Sequence, residues 1–308
     1  MSSQADVVAP SIVLIHGLWV TALSWEHWIE RYTAKGYNVI ARGWPGMEDV
    51  SIEDLRRDPS RIAGLGLKQI VDHFDMIIRE QERPPILMGH SFGGLVTQIL
   101  LDRGLGAAGV SIDPAPPKGI WVLPISTLRT AFPALRNPFG VNKTREETPA
   151  EFHYAFTNTM TDEEAAAAYE RYEVPGPNRV LFEDALANLS PHSPAAINFA
   201  NDYRAPLLLI AGGKDHIAPA SLTNATYGLY AAAQSNANVD YREFPERSHF
   251  TIGERGWEEV ADYALMWAVQ QAAEYEAEHP TRAEIAEARR SALDAGDAGD
   301  AGDADSVM

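Results

Sequence analysis

Residues 84–94 read PPILMGHSFGG, an apolar run that ends in a Gly-X-Ser-X-Gly motif. The run predicts a buried strand, and the residues that follow Ser91 predict a helix. A serine on such a turn is held in a strained backbone conformation, and glycines two positions away prevent clashes with the strand and the helix. Its hydroxyl stands clear of the sheet, at the positive end of the helix dipole. The motif therefore predicts that Ser91 is a nucleophile.

Similar apolar runs recur along the chain and alternate with helical patterns. The runs cover 11–17, 37–42, 84–91, 108–113, 205–213 and 239–244, and the helical patterns cover 24–36, 61–81, 92–103, 219–233 and 254–278. The first five runs are almost continuously apolar, which is typical of strands buried on both faces. The alternation predicts an α/β fold with a doubly wound, mostly parallel sheet. If the first strand lies between the second and the third, the order in which strands are added to the sheet reverses between strands one and three. These strands end at His16-Gly17 and at Ser91, and ligands bind at such a reversal point.

One interval, between Asp113 and Ala205, breaks this alternation because it contains no good strand pattern. It holds two capping boxes, which begin at Thr148 and Thr161, and a further helical pattern near 178–189. An interval of this length is too long for a structureless loop. We therefore expect a helical cap over one end of the sheet.

The expected domain organisation follows from this interval. The α/β core is expected at 1–113 and 205–278, and the cap at 114–204. Residues 279–308 are expected to form a C-terminal helix and, from the repeat DAGDAGDAGDAD onward, a disordered acidic tail. Most cap aromatics are expected to pack the cap, and a minority to line a pocket; they are Trp121, Phe132, Phe139, Phe152, Tyr154, Phe156, Tyr169, Tyr172, Phe182 and Phe199.

The composition excludes several classes of function. The 308 residues include no cysteine, which rules out disulfides, thiolate metal sites and a cysteine nucleophile. A formal net charge of −18 disfavours nucleic acid and membrane surfaces as partners. The first ten residues lack the basic and apolar regions of a signal peptide, so the expected location is the cytoplasm.

A second motif, His16-Gly17-Leu18-Trp19, ends the first predicted strand. Together with the motif at Ser91 it resembles the α/β-hydrolase superfamily, in particular the esterase- and lipase-like branch with a serine nucleophile and a helical cap. This resemblance implies an oxyanion hole made by the backbone N–H groups of Leu18 and Phe92. It also implies two strands before the first one found here, which we expect to be missing because only ten residues precede Ser11.

A serine nucleophile needs a base and an orienting carboxylate. His249 follows the last predicted strand, on the same sheet edge as Ser91, and the resemblance implies that it is the base. Asp215 follows the fifth strand at the commonest acid position of the superfamily. Asp113, at the end of the fourth strand, stays open as an alternative acid. The chain order Ser91, Asp215, His249 is that of the superfamily.

The implied function is hydrolysis of a small or medium apolar carboxylic ester or lactone through an acyl-enzyme. Relatives with the same triad cleave carbon–carbon bonds or make peracids without a cofactor, and these remain alternatives, as does a ligand receptor without turnover. No metal or organic cofactor is implied. The expected partner is a small-molecule substrate, and the sequence does not indicate an oligomeric state.

Overall fold

The computed structural model describes residues 10–279 and contains a central sheet of six parallel strands. The chain has eight strands in all within this range: β1 (Ile12–Ile15), β2 (Val39–Ala41), β3 (Ile86–His90), β4 (Ala108–Ile112), β5 (Thr144–Arg145), β6 (Gly176–Pro177), β7 (Leu207–Gly212) and β8 (Val239–Phe244). The central sheet has the order β2-β1-β3-β4-β7-β8. The predicted α/β fold with a parallel sheet is therefore confirmed. The order in which strands are added to the sheet reverses between β1 and β3.

Ten α-helices flank or cover the sheet in the described range. They are α1 (Glu26–Ala34), α2 (Ile52–Arg57), α3 (Leu67–Arg79), α4 (Phe92–Asp102), α5 (Ile125–Leu135), α6 (Pro149–Ala155), α7 (Asp162–Tyr172), α8 (Asn178–Ala185), α9 (Ala220–Ala232) and α10 (Trp257–Glu278). Helices on both faces explain why β1, β3, β4 and β7 are buried along their whole length. None of the helices within residues 10–279 is both long and apolar enough to cross a bilayer.

The segment 114–204, called the insert below, contains α5 to α8 and a short antiparallel pair of strands, β5 and β6. Both predicted capping boxes form: Thr148 caps α6 through the amide of Glu151, and Thr161 caps α7 through the amide of Glu164. Two features differ from the sequence prediction. The β5–β6 pair was not expected, because each strand has only two residues, and α5 was not expected, because prolines precede and interrupt it.

Several contacts fasten the insert to the rest of the chain above the carboxyl ends of the strands. The amide of Val174 donates to the carbonyl of Trp19 at 2.9 Å, and the amide of Phe250 donates to the carbonyl of Phe156 at 2.9 Å. The guanidinium of Arg171 pairs with the carboxylate of Glu26. The insert therefore covers the edge of the sheet where β1, β3, β7 and β8 end.

The C-terminal helix and the acidic tail predicted from the sequence lie outside the described residues, apart from His279.

Candidate active site

Ser91 lies on a strained turn between β3 and α4. Its φ of +58° and ψ of −123° are unfavourable for a side chain larger than glycine. A Cβ on Gly89 would lie 2.0 Å from the carbonyl oxygen of Gly93, and a Cβ on Gly93 would lie 2.0 Å from that of Ile15. The two glycines of the motif are thus required by backbone packing, which holds the turn and leaves the serine at the end of the strand.

The turn after β1 reaches the same point from the other side. A Cβ on Gly17 would lie 2.7 Å from the Cβ of Ser91, so only a glycine fits there. Leu18 follows, and Phe92 is the first residue of α4, where helical geometry leaves the amide without a partner. In the described part of the chain, the amides of Leu18 and Phe92 donate to no carbonyl or side-chain acceptor. Both residues line one cavity with Ser91.

His16 braces this turn as a neutral imidazole. Its Nδ1 donates to the carbonyl of Gly17 at 2.8 Å, and its Nε2 accepts from the amide of Trp44 at 3.1 Å. Burial lowers the pKa of His16 to about 4, so the ring carries no charge near neutral pH. The indole of Trp44 stacks on it at 4.9 Å between ring centroids. His16 therefore fixes the loop that carries the Leu18 amide, and both of its nitrogens are occupied.

A buried acid–base pair lies beside the turn. Nδ1 of His249 and Oδ2 of Asp215 are 2.6 Å apart, and both side chains are fully shielded from solvent. Oδ1 of Asp215 accepts from the amides of Ile217 at 2.6 Å and Ala218 at 2.9 Å. Three donors thus fix the carboxylate, which in turn fixes the imidazole with Nε2 facing away from Asp215.

Nε2 of His249 is buried and has no hydrogen-bond partner among the described residues, so the Ser91 hydroxyl does not donate to it in this structure. The two groups are nevertheless close neighbours. The ring of His90, which precedes Ser91, lies 4.7 Å from the ring of His249, and Ala218, bonded to Asp215, lines the same cavity as Ser91. Catalytic hydrogen bonds are often long before substrate binds.

Asp113, the alternative acid, makes a different set of contacts. Its Oδ1 accepts from the amide of Gly212 at 2.5 Å, while Nδ1 of His249 is already bonded to Asp215. Burial, reinforced by the nearby Asp215 carboxylate, raises the pKa of Asp113 well above its usual value. The geometry thus favours Asp215, and not Asp113, as the partner of the imidazole.

His90, Asp113 and His249 each offer one potential metal-ligating atom, all within 4.8 Å of one another. One nitrogen of each ring is already hydrogen-bonded: Nε2 of His90 donates to the carbonyl of His249 at 2.7 Å, and Nδ1 of His249 bonds to Asp215. The other two ring nitrogens and Oδ2 of Asp113 have no hydrogen-bond partner among the described residues. Burial and the neighbouring His249 lower the pKa of His90 well below its usual value. We interpret His90 as a residue that positions the ring of His249.

The cavity at Ser91 has a volume of about 50 Å³, far below the roughly 300–1,000 Å³ of common ligand pockets. Its walls come from the sheet edge and from the insert; they are Leu18, Trp19, Ser91, Phe92, Ala115, Pro116, Thr127, Thr130, Ala131, Leu181, Asp184, Ile217 and Ala218. The expectation that aromatic side chains of 114–204 line the pocket is wrong for these walls, whose aromatic residues, Trp19 and Phe92, belong to the core.

Asp184 is a polar wall residue that the sequence prediction did not include. It sits in the last turn of α8, three and four positions after the buried residues Leu181 and Val180. That spacing places an acid on the buried face of an amphipathic helix. An analysis of which side chains share a face of the 178–189 pattern would have identified it.

The larger clefts of the molecule lie away from Ser91. A surface cleft of about 620 Å³ runs between residues 159–164 and 242–259. Its charged groups pair with one another: Glu164 with Arg255 at 2.9 Å, and Arg247 with Glu259 at 3.3 Å. These pairs account for four of its eight charged side chains. The candidate active site remains the small cavity at Ser91.

Comparison with known proteins matches a sequence profile described as "Alpha/beta hydrolase family" to residues 12–263. No curated protein sequence matches significantly.

Solved structures with the same fold are numerous. A monoacylglycerol lipase from Paleococcus ferrophilus is 20% identical with a TM-score of 0.59, covering 84% of this chain and 94% of that one. An extracellular alpha/beta-hydrolase from a Paenibacillus species is 19% identical with a TM-score of 0.60, covering 84% and 98%. Methylketone synthase I from tomato is 15% identical with a TM-score of 0.60, covering 86% and 99%. At these identities the similarity concerns the fold alone.

Proposed function

The chain belongs to the alpha/beta hydrolase family, and we propose that it hydrolyses a carboxylic ester with Ser91 as nucleophile, His249 as base and Asp215 as orienting acid. The observation that carries this proposal is the buried pair of His249 and Asp215, 2.6 Å apart, beside a serine on a strained turn. The free Nε2 of that pair is the group that a serine hydroxyl needs in order to react near neutral pH.

The proposed reaction begins with attack of the Ser91 oxygen on the ester carbonyl, as Nε2 of His249 accepts the hydroxyl proton. The negative charge of Asp215 stabilises the imidazolium that forms. The carbonyl oxygen becomes an oxyanion, and the amides of Leu18 and Phe92 donate to it. Each donor in such a site contributes about 3 kcal/mol to transition-state stabilisation.

Collapse of the tetrahedral intermediate releases the alcohol, which receives its proton from Nε2 of His249. The acyl group is then attached to Ser91. A water molecule gives its proton to the same nitrogen and attacks the acyl-enzyme, and the acid product leaves with the serine restored. All groups in this cycle belong to the chain, the substrate and water.

The size of the cavity favours a small acyl or alcohol group. A volume of about 50 Å³ holds only a few non-hydrogen atoms. A medium-sized ester or a lactone therefore requires α5 and α8 to move away from the sheet edge, since these helices contribute Thr127, Leu181 and Asp184 to the wall.

The test is turnover of p-nitrophenyl esters from acetate to octanoate, together with a lactone and a vinylogous diketone, by purified protein. We expect ester turnover that is fastest for short acyl chains and is lost in Ser91→Ala. Ser221→Ala, an exposed serine on α9, is the matched control and should retain full activity. Activity above a tenth of wild type in Ser91→Ala contradicts the assignment of the nucleophile, and carbon–carbon cleavage without ester cleavage contradicts the assignment of the reaction.

A further inference from the structure

The cavity wall contains polar side chains whose hydrogen bonds are already satisfied, and one acid whose bonds are not. Oγ1 of Thr127 donates to the carbonyl of Ile217 at 2.8 Å, and Oγ1 of Thr130 donates to the carbonyl of Thr127 at 2.9 Å. Oδ1 of Asp184 is shielded from solvent and has no hydrogen-bond partner within residues 10–279. A buried polar atom in this state is costly unless something binds to it.

The position of Asp184 disfavours a charged carboxylate. The residue lies at the C-terminal end of α8, where the helix dipole repels negative charge. The side chains around the cavity near it are largely apolar and include Leu181, Ala131 and Ile217. Burial raises the pKa of Asp184 to about 7, which favours the protonated carboxyl group. In that form it both donates and accepts a hydrogen bond.

The neighbouring acid, Glu183, differs from Asp184 because its hydrogen bonds give it a clear structural role. Its Oε2 accepts from the amide of Leu67 at 2.7 Å, at the N-terminus of α3, and its Oε1 accepts from Nε of Arg179 at 2.8 Å. Glu183 thus fastens the insert to the core. No comparable contact in the described structure accounts for Asp184.

A second residue that lines the cavity also has a polar atom without a partner. Nε1 of Trp19 is buried, and none of the described residues accepts its hydrogen. Trp19 lines the cavity from the sheet edge and Asp184 lines it from the insert, so a donor and a carboxyl oxygen without partners belong to residues that border the same space. A hydroxyl group accepts from the first and donates to the second, whereas a hydrocarbon leaves both unpaired.

We propose that Asp184 and Trp19 form a subsite for a hydroxyl group of the substrate. This inference rests on the proposed ester hydrolysis and narrows it to esters or lactones with a hydroxyl group near the reacting carbonyl. Sites built to bond a substrate hydroxyl discriminate strongly against analogues without it, because the buried polar groups then stay unpaired. Asp184 acts here as a specificity-determining residue and takes no part in the chemical step.

The first test compares matched esters with the wild-type protein. Methyl 3-hydroxybutyrate against methyl butyrate places the hydroxyl on the acyl side, and 2-hydroxyethyl butyrate against propyl butyrate places it on the alcohol side. We expect kcat/KM to favour the hydroxylated ester by ~10- to 100-fold in one of the two pairs. Equal turnover within about threefold in both pairs overturns the subsite and leaves ester hydrolysis standing. Absence of turnover for every ester overturns the proposed function and the subsite with it.

The second test changes the acid. Asp184→Leu should remove most of the preference, measured as the ratio of kcat/KM for the hydroxylated ester to kcat/KM for its unhydroxylated partner. Asp184→Asn, which still donates and accepts, should keep most of the preference. Glu163→Gln, an exposed acid on α7, is the control and should leave the ratio unchanged.

An unchanged ratio in Asp184→Leu overturns the assignment. If the leucine variant does not fold, as judged by its circular dichroism, Asp184→Ala, which adds no bulk, replaces it under the same criterion.

Discussion

The sheet edge and the insert enclose the same cavity, but the buried acids of the two regions differ in how many hydrogen-bond partners they have. At the sheet edge, the Asp215 carboxylate has three donors and His16 uses both ring nitrogens. In the insert, Asp184 lies on an apolar helix face with its Oδ1 unpaired in the described structure. The groups that hold His249 and the turn after β1 are fixed in a single arrangement, whereas Asp184 in the insert and Trp19 beside it each leave a hydrogen-bonding atom available.

This difference suggests a division of labour between the two walls. Preorganised donors and acceptors stabilise charge that develops during a reaction, and they gain from being rigid. A group that recognises one substrate over another has to stay unpaired until that substrate arrives. The four predictions below, taken from the largest expected effect to the smallest, test whether the sheet edge carries the chemistry and the insert the recognition.

The largest effect is expected from the acid at the sheet edge. Asp215→Asn should lower kcat for ester hydrolysis by about 10³- to 10⁴-fold, because an amide cannot hold the imidazole in the required tautomer or stabilise its charge. Steady-state kinetics with p-nitrophenyl butyrate measure this loss.

Asp113→Asn is the matched control for that variant. Asparagine keeps the shape of aspartic acid and tolerates the positive φ of 44° at this position, so kcat should stay within about tenfold of wild type. If Asp113→Asn is the more damaging of the two, the acid must be reassigned.

The second prediction compares the stability of two variants, each of which adds a methyl group to a glycine of one region. Gly89→Ala brings a Cβ within 2.0 Å of the backbone of Gly93 and should destabilise the fold by about 3 kcal/mol or more. Gly140→Ala in the insert meets nothing closer than 3.5 Å, and its free energy of unfolding should change by less than about 1 kcal/mol. Urea denaturation of both variants checks this, and equal losses would mean that the turn at Ser91 is not tightly packed.

The third prediction concerns Asp184 in the insert and the pH dependence of the free energy of unfolding. The pKa of Asp184 is raised to about 7 by burial and is near 3.8 in the unfolded chain, so the folded state holds the proton more tightly. The free energy of unfolding therefore falls as pH rises from about 4 to about 7 and stays lower above that.

Asp184→Asn removes the titrating carboxyl group and with it this dependence on pH. The variant should be more stable than wild type at pH 8 by about 1–2 kcal/mol, with the advantage vanishing near pH 4. This difference is smaller than the full shift in pKa implies, because the Asp184 residue is only partly buried. Thermal unfolding across this pH range measures it, and parallel curves for the two proteins would show that the acid titrates normally.

The smallest predicted effect concerns the brace at the turn. His16 is neutral near pH 7 because burial lowers its pKa to about 4, so its bonds to Gly17 and Trp44 persist down to that pH. We expect NMR of the His16 ring to show no titration between pH 5 and 8. Titration near 6.5 would mean that the loop carrying Leu18 is open to solvent.

The fold could be predicted largely from the sequence, because buried parallel strands have an unmistakable composition. The runs at 108–113, 205–213 and 239–244 match β4, β7 and β8 to within two residues at either end. Capping boxes at Thr148 and Thr161 located α6 and α7, because side-chain caps are local signals. Helix α5 was missed because Pro133 lies inside it.

The site could be predicted less completely. Its sheet-edge residues follow strand ends, and topology brings strand ends together. The choice of Asp215 and His249, 34 positions apart in the sequence, came from the resemblance to the α/β-hydrolase superfamily. Asp184 belongs to the insert, whose position above the sheet follows from long-range contacts such as that of Glu183 with Leu67. No strand order specifies such contacts, and only the periodicity of α8 indicates that Asp184 is turned inward. The catalytic roles themselves stay predictions.

The central claim is that Ser91 is a nucleophile activated by His249, and a fluorophosphonate tests it most directly. The reagent should label the wild-type protein once, at the tryptic peptide that contains Ser91, and should label His249→Ala far more slowly and Ser91→Ala not at all. Intact-mass and peptide mass spectrometry read this out. Well-folded wild-type protein that stays unlabelled, or that is labelled at another serine, would contradict the account.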